Sequence, residues 1–398
     1  MKFGCLVTLE DHAIAYGTYG KCGVYHILNR LHQSGITRLY LRSLGDGMAD
    51  YPSRATDTGF RYDLDDSAPM IEAGWWTRED LESINASLDF AAFDHFACAR
   101  DRCRELGMDF LVWHETRGED HCCGLRSTFV KRYPQFLSVN RRRQRSPSEL
   151  SPIHPEVLAR RIALFGEVLG YDPDGVFFDW VKSGDVLVGR FDDNGIWEFG
   201  YEEPMLEAFK RQTGRDPWQI PNDDDQWLRF RAGFFTDFMR QARHIQRTLY
   251  PDVEVGLMSL TPGEPGWHDH LFECMKKGTN AMRPVPYPLA NLEDHETWLS
   301  EGLMDTFCCG HNSRNEKVET ALAHLDRATH AVRGRCRLIL EVNTYPITDE
   351  EAEQWAETLF TGAAERGVGE VIFRESCPMW PRQGLWKALK QVTKKYLS

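Results

Sequence analysis

Short apolar runs rich in β-branched and aromatic residues alternate along this chain with longer stretches whose apolar positions recur every three or four residues. The first run, Phe3 to Leu9, is followed by a helical pattern through Val24 to Gln33 that stops at Gly35. The second, Leu39 to Leu44, ends in Gly45-Asp46-Gly47; a long loop with Trp75 and Trp76 then leads to a helix from about Leu88 to Leu106. The third run is Asp109 to His114, followed after a long excursion by a helix over Pro155 to Leu169. The fourth is Gly175 to Trp180, and the amphipathic helix Gln226 to Leu249 precedes the fifth, Val253 to Leu260. A helix near Trp267 to Lys277, a short segment from Ala281 to Tyr287 and a helix ending at Gly302 come next. The sixth run is Met304 to Cys309, with a helix over Glu316 to Val332. The seventh is Cys336 to Val342, with a helix from Asp349 to Arg366; the eighth is Glu370 to Arg374, and the helix Leu385 to Tyr396 closes the chain.

Eight such units predict an α/β fold, a (β/α)8 TIM barrel. The competing doubly wound sheet shares the alternation, but no GxGxxG follows the first strand. A length of 398 residues fits one barrel domain over 1–398, with loop insertions at about 45–85, 115–150 and 183–225. No short-period repeat or low-complexity tract interrupts it.

Charge narrows the partners. A net charge of −13 argues against nucleic acid, and the basic run Arg141-Arg142-Arg143 with Arg145 reads as a solvated loop. No stretch of about 20 apolar residues points to a membrane span. The 11 cysteines contain no CxxC pair, and the amino-terminal MKFGCLVTLEDH lacks a secretion-type apolar core, so a reduced, cytoplasmic protein is expected. Homo-oligomer formation is left open.

In a barrel of this kind the chemistry sits at the carboxyl ends of the strands. The third run ends VWHETRGEDH, which gathers His114, Glu115, Arg117, Glu119, Asp120 and His121. The fourth reads DGVFFDW, so alternation puts Gly175, Phe177 and Asp179 on one face, with Trp180 next. Asp179 is a carboxylate ending an apolar strand, costly to bury without a purpose or a partner. The sixth ends near His311, the seventh places Ile339 and Glu341 on one face with Asn343 following, and the eighth ends in Arg374 and Glu375. Glu341 and Glu375 are the candidate partners of Asp179; a structural ion pair with Arg374 is the competing reading of either. Two carboxylates across a barrel mouth suit glycosidic cleavage, one protonating the leaving oxygen while the other attacks or activates water. Arg42, Trp113, His114, Glu115, Asp120, His121, Trp180, His311, Asn343 and Arg374 are the candidate groups for binding carbohydrate by stacking and hydrogen bonding.

Over most of residues 1–390 the chain also resembles the bacterial hypothetical glycosyl-hydrolase-like (β/α)8 barrels. The resemblance is carried by GMDFLVWHETRGEDH, STFVKRYPQFLSVN, HPEVLARRI, DGVFFDW, GYEEPMLEAFKRQTGRDP, QWLRFRAGFFTDFMRQAR, EGLMDTFCCG and GVGEVIFRES. It implies a barrel, glycoside or polysaccharide metabolism, and Asp179 as leading catalytic residue. The wider α-amylase-like and fucosidase-like barrels also place an Asp nucleophile at the fourth strand. This chain departs from α-amylases because its fifth strand ends in Met258 and Ser259 without a Glu. The acid/base therefore stays open between Glu341 and Glu375.

Two other classes compete with a hydrolase. A metal-dependent isomerase, aldolase or lyase would use hard ligands among His114, Glu115, Asp120, His121 and Asp179, although their spacing fits no metal signature. A non-catalytic carbohydrate-binding barrel would hold sugar without turnover. No cofactor is expected on the hydrolase reading. His268 and His270 read as a helix-opening feature, and Cys308 and Cys309 as strand residues.

Overall fold

The period-two alternation of the apolar runs closes into a ring. In the computed structural model, eight parallel strands hydrogen-bond in sequence order and form a closed barrel. They are β1 (Lys2–Val7), β2 (Arg38–Arg42), β3 (Asp109–Glu115), β4 (Gly175–Asp179), β5 (Glu254–Met258), β6 (Thr306–Cys309), β7 (Arg337–Val342) and β8 (Glu370–Phe373). The structure describes residues 1–396 apart from 46, 57–62, 66, 73–76, 88, 117–125, 180, 182–191, 193, 260–264, 268–281, 285–286, 311–316 and 345–346.

Helices cover the outer face of the ring. They include α1 (Leu9–Tyr16), α2 (Gly20–Gln33), α3 (His95–Leu106), α4 (Pro155–Leu169), α5 (Glu203–Thr213), α6 (Asp225–Leu249), α7 (His295–Ser300), α8 (Val318–Val332), α9 (Ala352–Glu365), α10 (Ser376–Met379) and α11 (Gln383–Val392). Outward strand residues pack against them: Phe178 of β4 lies 5.2 Å from Phe165 of α4 and 5.3 Å from Phe238 of α6 between ring centroids. Among the described residues no helix is long and apolar enough to cross a membrane.

Inward residues form a separate apolar layer. Leu6, Tyr40, Leu111, Phe177, Ile339 and Ile372 pack together inside the ring, which puts Phe177 and Ile339 in the interior as the strand alternation requires. The layer is dense. A β-carbon at Gly256 of β5 would come within 2.1 Å of the Phe177 ring, so a glycine there makes room for that ring.

The amino-terminal end of the barrel is closed by charge. Arg38 is 3% exposed, bonds Glu370, reaches Glu254 at 3.0 Å and approaches Asp109 at 3.1 Å. Tyr40 donates to the other oxygen of Glu370 at 2.5 Å. Burial raises the Glu370 pKa despite Arg38 and Tyr40, whereas for Glu254 burial is outweighed by Arg38, Thr306 and Arg337 together and the pKa is lowered. The carboxyl ends of the strands form the opposite end of the barrel, its mouth.

Described parts of the long insertions are tied down by single buried or half-buried side chains. Glu167 of α4 accepts from Ser53 Oγ at 2.6 Å and the Arg54 amide at 2.7 Å, which pins the segment after β2. After β3, an antiparallel hairpin (Leu137–Val139 with Arg145–Leu150) is held by Glu202, which accepts from the Val139 amide at 3.1 Å. Buried Arg231 of α6 donates to the carbonyls of Trp197 at 2.9 Å and Phe199 at 2.8 Å.

Two local expectations are corrected. The helix expected from Leu88 starts at His95, because Asp94 caps it by accepting from the Ala97 amide at 2.9 Å. Trp267 lies in a short antiparallel pair, Pro265–Trp267 with Met282–Pro284, and does not open a helix; residues 268–277 fall outside the described residues. A further helix, α1, follows β1 directly.

Removing Arg38 takes from buried Glu370 the cation it pairs with, while Glu254 keeps Arg337 at 2.6 Å and Asp109 keeps Lys2 at 2.7 Å. We expect Arg38→Ala to cost about 3–5 kcal/mol in denaturant unfolding; a loss below about 1 kcal/mol contradicts the proposed seal.

Candidate active site

At the mouth, alternation turns one more layer of side chains inward: Arg42 from β2, Trp113 and Glu115 from β3, Asp179 from β4, Glu341 from β7 and Arg374 directly after β8. Asp179 and Glu341 expose none of their surface. The indole N–H of Trp113 donates to Asp179 Oδ2 at 2.7 Å. On the opposite wall, Arg374 Nη1 donates to Glu341 Oε1 at 3.0 Å, and Arg374 Nε lies 3.7 Å from Glu375 Oε1. β8 and β4 stand four strands apart in the eight-strand ring, and Asp179 is among the charges that act on Arg374.

Electrostatics ties the groups together. Burial by itself lowers the pKa of Arg374, but Glu341, Glu375 and Asp179, in that order, outweigh it and raise it. One buried cation thus lies in the field of three carboxylates from three strand ends. Around them, Arg42 sits 3.9 Å from Glu115 and 6.0 Å from the Trp113 ring centre. Cys308 Sγ lies 3.9 Å from Glu341 Oε2. Gly310, at φ 86°, lets β6 end against the Glu341 carbonyl, where a β-carbon would sit 2.4 Å from that oxygen. Buried Asn343 follows Glu341 by two residues on the same face. Glu375 adopts φ 48° and ψ 112°, a left-handed backbone that a non-glycine residue holds only under constraint.

The structure therefore brings together Arg42, Trp113, Glu115, Asp179, Glu341, Asn343, Arg374 and Glu375. Two expectations change. Trp113 is 2% exposed and gives its N–H to Asp179, so it supports that carboxylate from below and offers no open face for stacking. His114 lies on the outer face of β3, buried between Phe165 and Phe178, with Nδ1 2.9 Å from Ser43 Oγ. The alternation that turns Trp113 inward turns its neighbour out, and His114 leaves the list of sugar-binding groups. Asp120, His121, Trp180 and His311 lie outside the described residues, as do His268 and His270. Among the described residues no group of three or more His, Cys, Asp or Glu is arranged to hold a metal ion.

Sequence reasoning missed His12 of α1, fully buried with Nε2 2.5 Å from Ser376 Oγ just behind Glu375. The available signal was the helical spacing of LEDHAIAY directly after the first strand.

Residues 76–329 match glycosyl hydrolase-like 10. The chain belongs to this family. No curated protein matches it. Among solved structures, this glycosyl hydrolase-like 10 chain is similar to the PgaB (BpsB) glycoside hydrolase domain from Bordetella bronchiseptica, with 14% identity, 99% of each chain covered and a TM-score of 0.55. It is also similar to the beta-galactosidase from the psychrophilic Marinomonas ef1, with 12% identity, a TM-score of 0.56, and coverage of 100% of this chain and 59% of that one. A third is the beta-galactosidase from Bacillus circulans sp. alkalophilus, at 11% identity, TM-score 0.56, and coverage of 99% and 55% respectively. At such identities the likeness is one of fold.

The placement of His114 has a measurable consequence. Burial lowers its pKa from 6.5 to about 3, so the neutral ring stabilises the fold above pH 6.5 and that contribution is lost as pH falls toward 3. We expect His114→Asn, which keeps a partner for Ser43, to lose less unfolding free energy than wild type between those two pH values. Identical pH slopes in denaturant melts contradict this placement.

Proposed function

We propose that this chain is a glycoside hydrolase acting on an oligo- or polysaccharide at the barrel mouth, with Asp179 and Glu341 as the reacting carboxylates. One observation carries the reading: two wholly buried acids stand on different walls of the mouth, both in the field of the Arg374 guanidinium. Membership of a glycosyl hydrolase-like family and the glycosidase folds it resembles support the same reaction class.

The hydrogen bonds divide the labour. Glu341 is ion-paired with Arg374 at 3.0 Å and carries negative charge to the anomeric centre, as nucleophile or as the base that activates water. Asp179, oriented by the Trp113 indole, transfers the proton to the departing glycosidic oxygen. Arg374 keeps the mouth from accumulating uncompensated charge, and Glu375 steadies it from its Nε side. Arg42, Glu115 and Asn343 supply donors and acceptors for hydroxyl groups. The binding partner is thus a neutral, hydroxyl-rich sugar chain.

The test is a panel of aryl glycosides and oligosaccharides. Asp179→Asn is expected to lower kcat/KM by about 10²–10⁴-fold, more on substrates with poor leaving groups than on those with good ones. Glu341→Gln is expected to fall by a similar factor, about 10²–10⁴-fold, on all of them. Wild-type rates in both variants, on any glycoside that wild type cleaves, contradict the assignment.

A further inference from the structure

Glu375 holds a backbone conformation at φ 48° and ψ 112° that a non-glycine residue adopts only under constraint, so something must hold it. On its amino-terminal side the β-ladder does so: the Arg374 amide donates to the Val342 carbonyl at 2.9 Å. On its carboxyl-terminal side lies the short helix α10, and the contacts come from α1, at the far end of the sequence. His12 Nε2 meets Ser376 Oγ at 2.5 Å. Tyr16 donates its hydroxyl to the Cys377 carbonyl at 3.0 Å, and Cys377 Sγ lies 3.6 Å from the Asp11 carbonyl. The edge of His12 is also seated on Trp380, with ring centroids 4.8 Å apart at 87°.

The His12 ring is fixed in protonation and direction. It is fully buried, and burial, with the nearby charges of Arg30 and His26, lowers its pKa from 6.5 to about 3. Nδ1 meets no hydrogen-bond partner among the described residues. A buried N–H without an acceptor costs more than a bare ring nitrogen, so the proton belongs on Nε2, donating to Ser376 Oγ.

We propose that His12 and Ser376 are positioning residues, a brace from α1 that locks the strained turn after β8 so that Glu375 meets Arg374 and Arg374 meets Glu341. The catalytic consequence rests on the glycosidase reading above; the geometric one does not. Without the brace the turn relaxes, Glu375 swings off Arg374, and the guanidinium is free to shift from the position in which it serves Glu341. A misplacement near 1 Å at such a site is worth up to about 10²-fold in rate.

The experiment compares His12→Ala, Ser376→Ala and His12→Gln. The glutamine amide nitrogen can replace the Nε2 donor. On a substrate that wild type cleaves, both alanine variants should lose about 10–100-fold in kcat with KM changed by less than about twofold, while His12→Gln recovers most of the loss. A role limited to stability would move the melting temperature and leave kcat in place. Crystal structures of the alanine variants supply a readout independent of turnover: Glu375 should leave positive φ and its contact with Arg374 should open. If wild type cleaves no glycoside, the glycosidase reading fails, and the brace is then judged by these structures alone. If His12→Ala does not fold, Ser376→Ala and His12→Gln carry the same comparison. Glu375 unmoved in the variant structures, or kcat unchanged in both alanine variants, overturns the proposal.

Discussion

A guanidinium buried in a barrel mouth has to be surrounded by carboxylates, and carboxylates buried there have to find a cation. Arg374 meets that constraint: it bonds Glu341, lies beside Glu375 and feels the charge of Asp179 across the ring. Isolated, any of these four charges would carry a desolvation penalty of several kcal/mol. Together they are affordable to the fold, and the arrangement leaves acids from β4 and β7 converging on one opening. The apolar layer beneath, with Phe177 and Ile339 at its centre, is what keeps water from reaching them from below.

The two ends of the barrel show how the same chemistry serves different purposes. At the amino-terminal end Arg38 also gathers carboxylates, Glu254, Glu370 and Asp109, and Tyr40 completes the set. That cluster joins β2, β3, β5 and β8 and acts as a seal. At the other end the charged layer sits where the βα loops converge, its backbone is strained at Glu375, and helices α1 and α10 are bonded together behind it. Both clusters are tied by contacts distant in sequence, and the strained backbone at Glu375 is what sets the mouth cluster apart. In both places the ion pairs stabilise mainly by sparing each partner an unpaired burial.

Much of this could be read from the sequence, and the reasons are local. Each of the eight expected strands overlaps an observed one, because apolar runs bounded by Gly and polar turns report burial directly. The inward phase of β4 and β7 followed from strict alternation, which is why Phe177 and Ile339 were placed correctly inside. The same rule, applied one residue further along β3, turns His114 away from the mouth; a cluster of polar residues at a strand end does not by itself say which face each one takes. Trp113 was expected to stack on sugar, but its partner is Asp179 on the neighbouring strand, and a hydrogen bond between residues 66 positions apart leaves no trace in either segment. The His12–Ser376 contact spans 364 positions and is invisible for the same reason. Periodicity reports faces and burial; it says nothing of which strand ends meet across a ring.

The central claim is that a sugar sits between the Asp179 and Glu341 carboxyl groups. A crystal structure with a bound iminosugar or a non-cleaved oligosaccharide tests it most directly. The account predicts a pyranose-like ring in the mouth with a carboxyl oxygen of each residue within about 3.5 Å of the anomeric position or its leaving oxygen. A ligand bound elsewhere, or bound in the mouth while touching neither carboxylate, contradicts it.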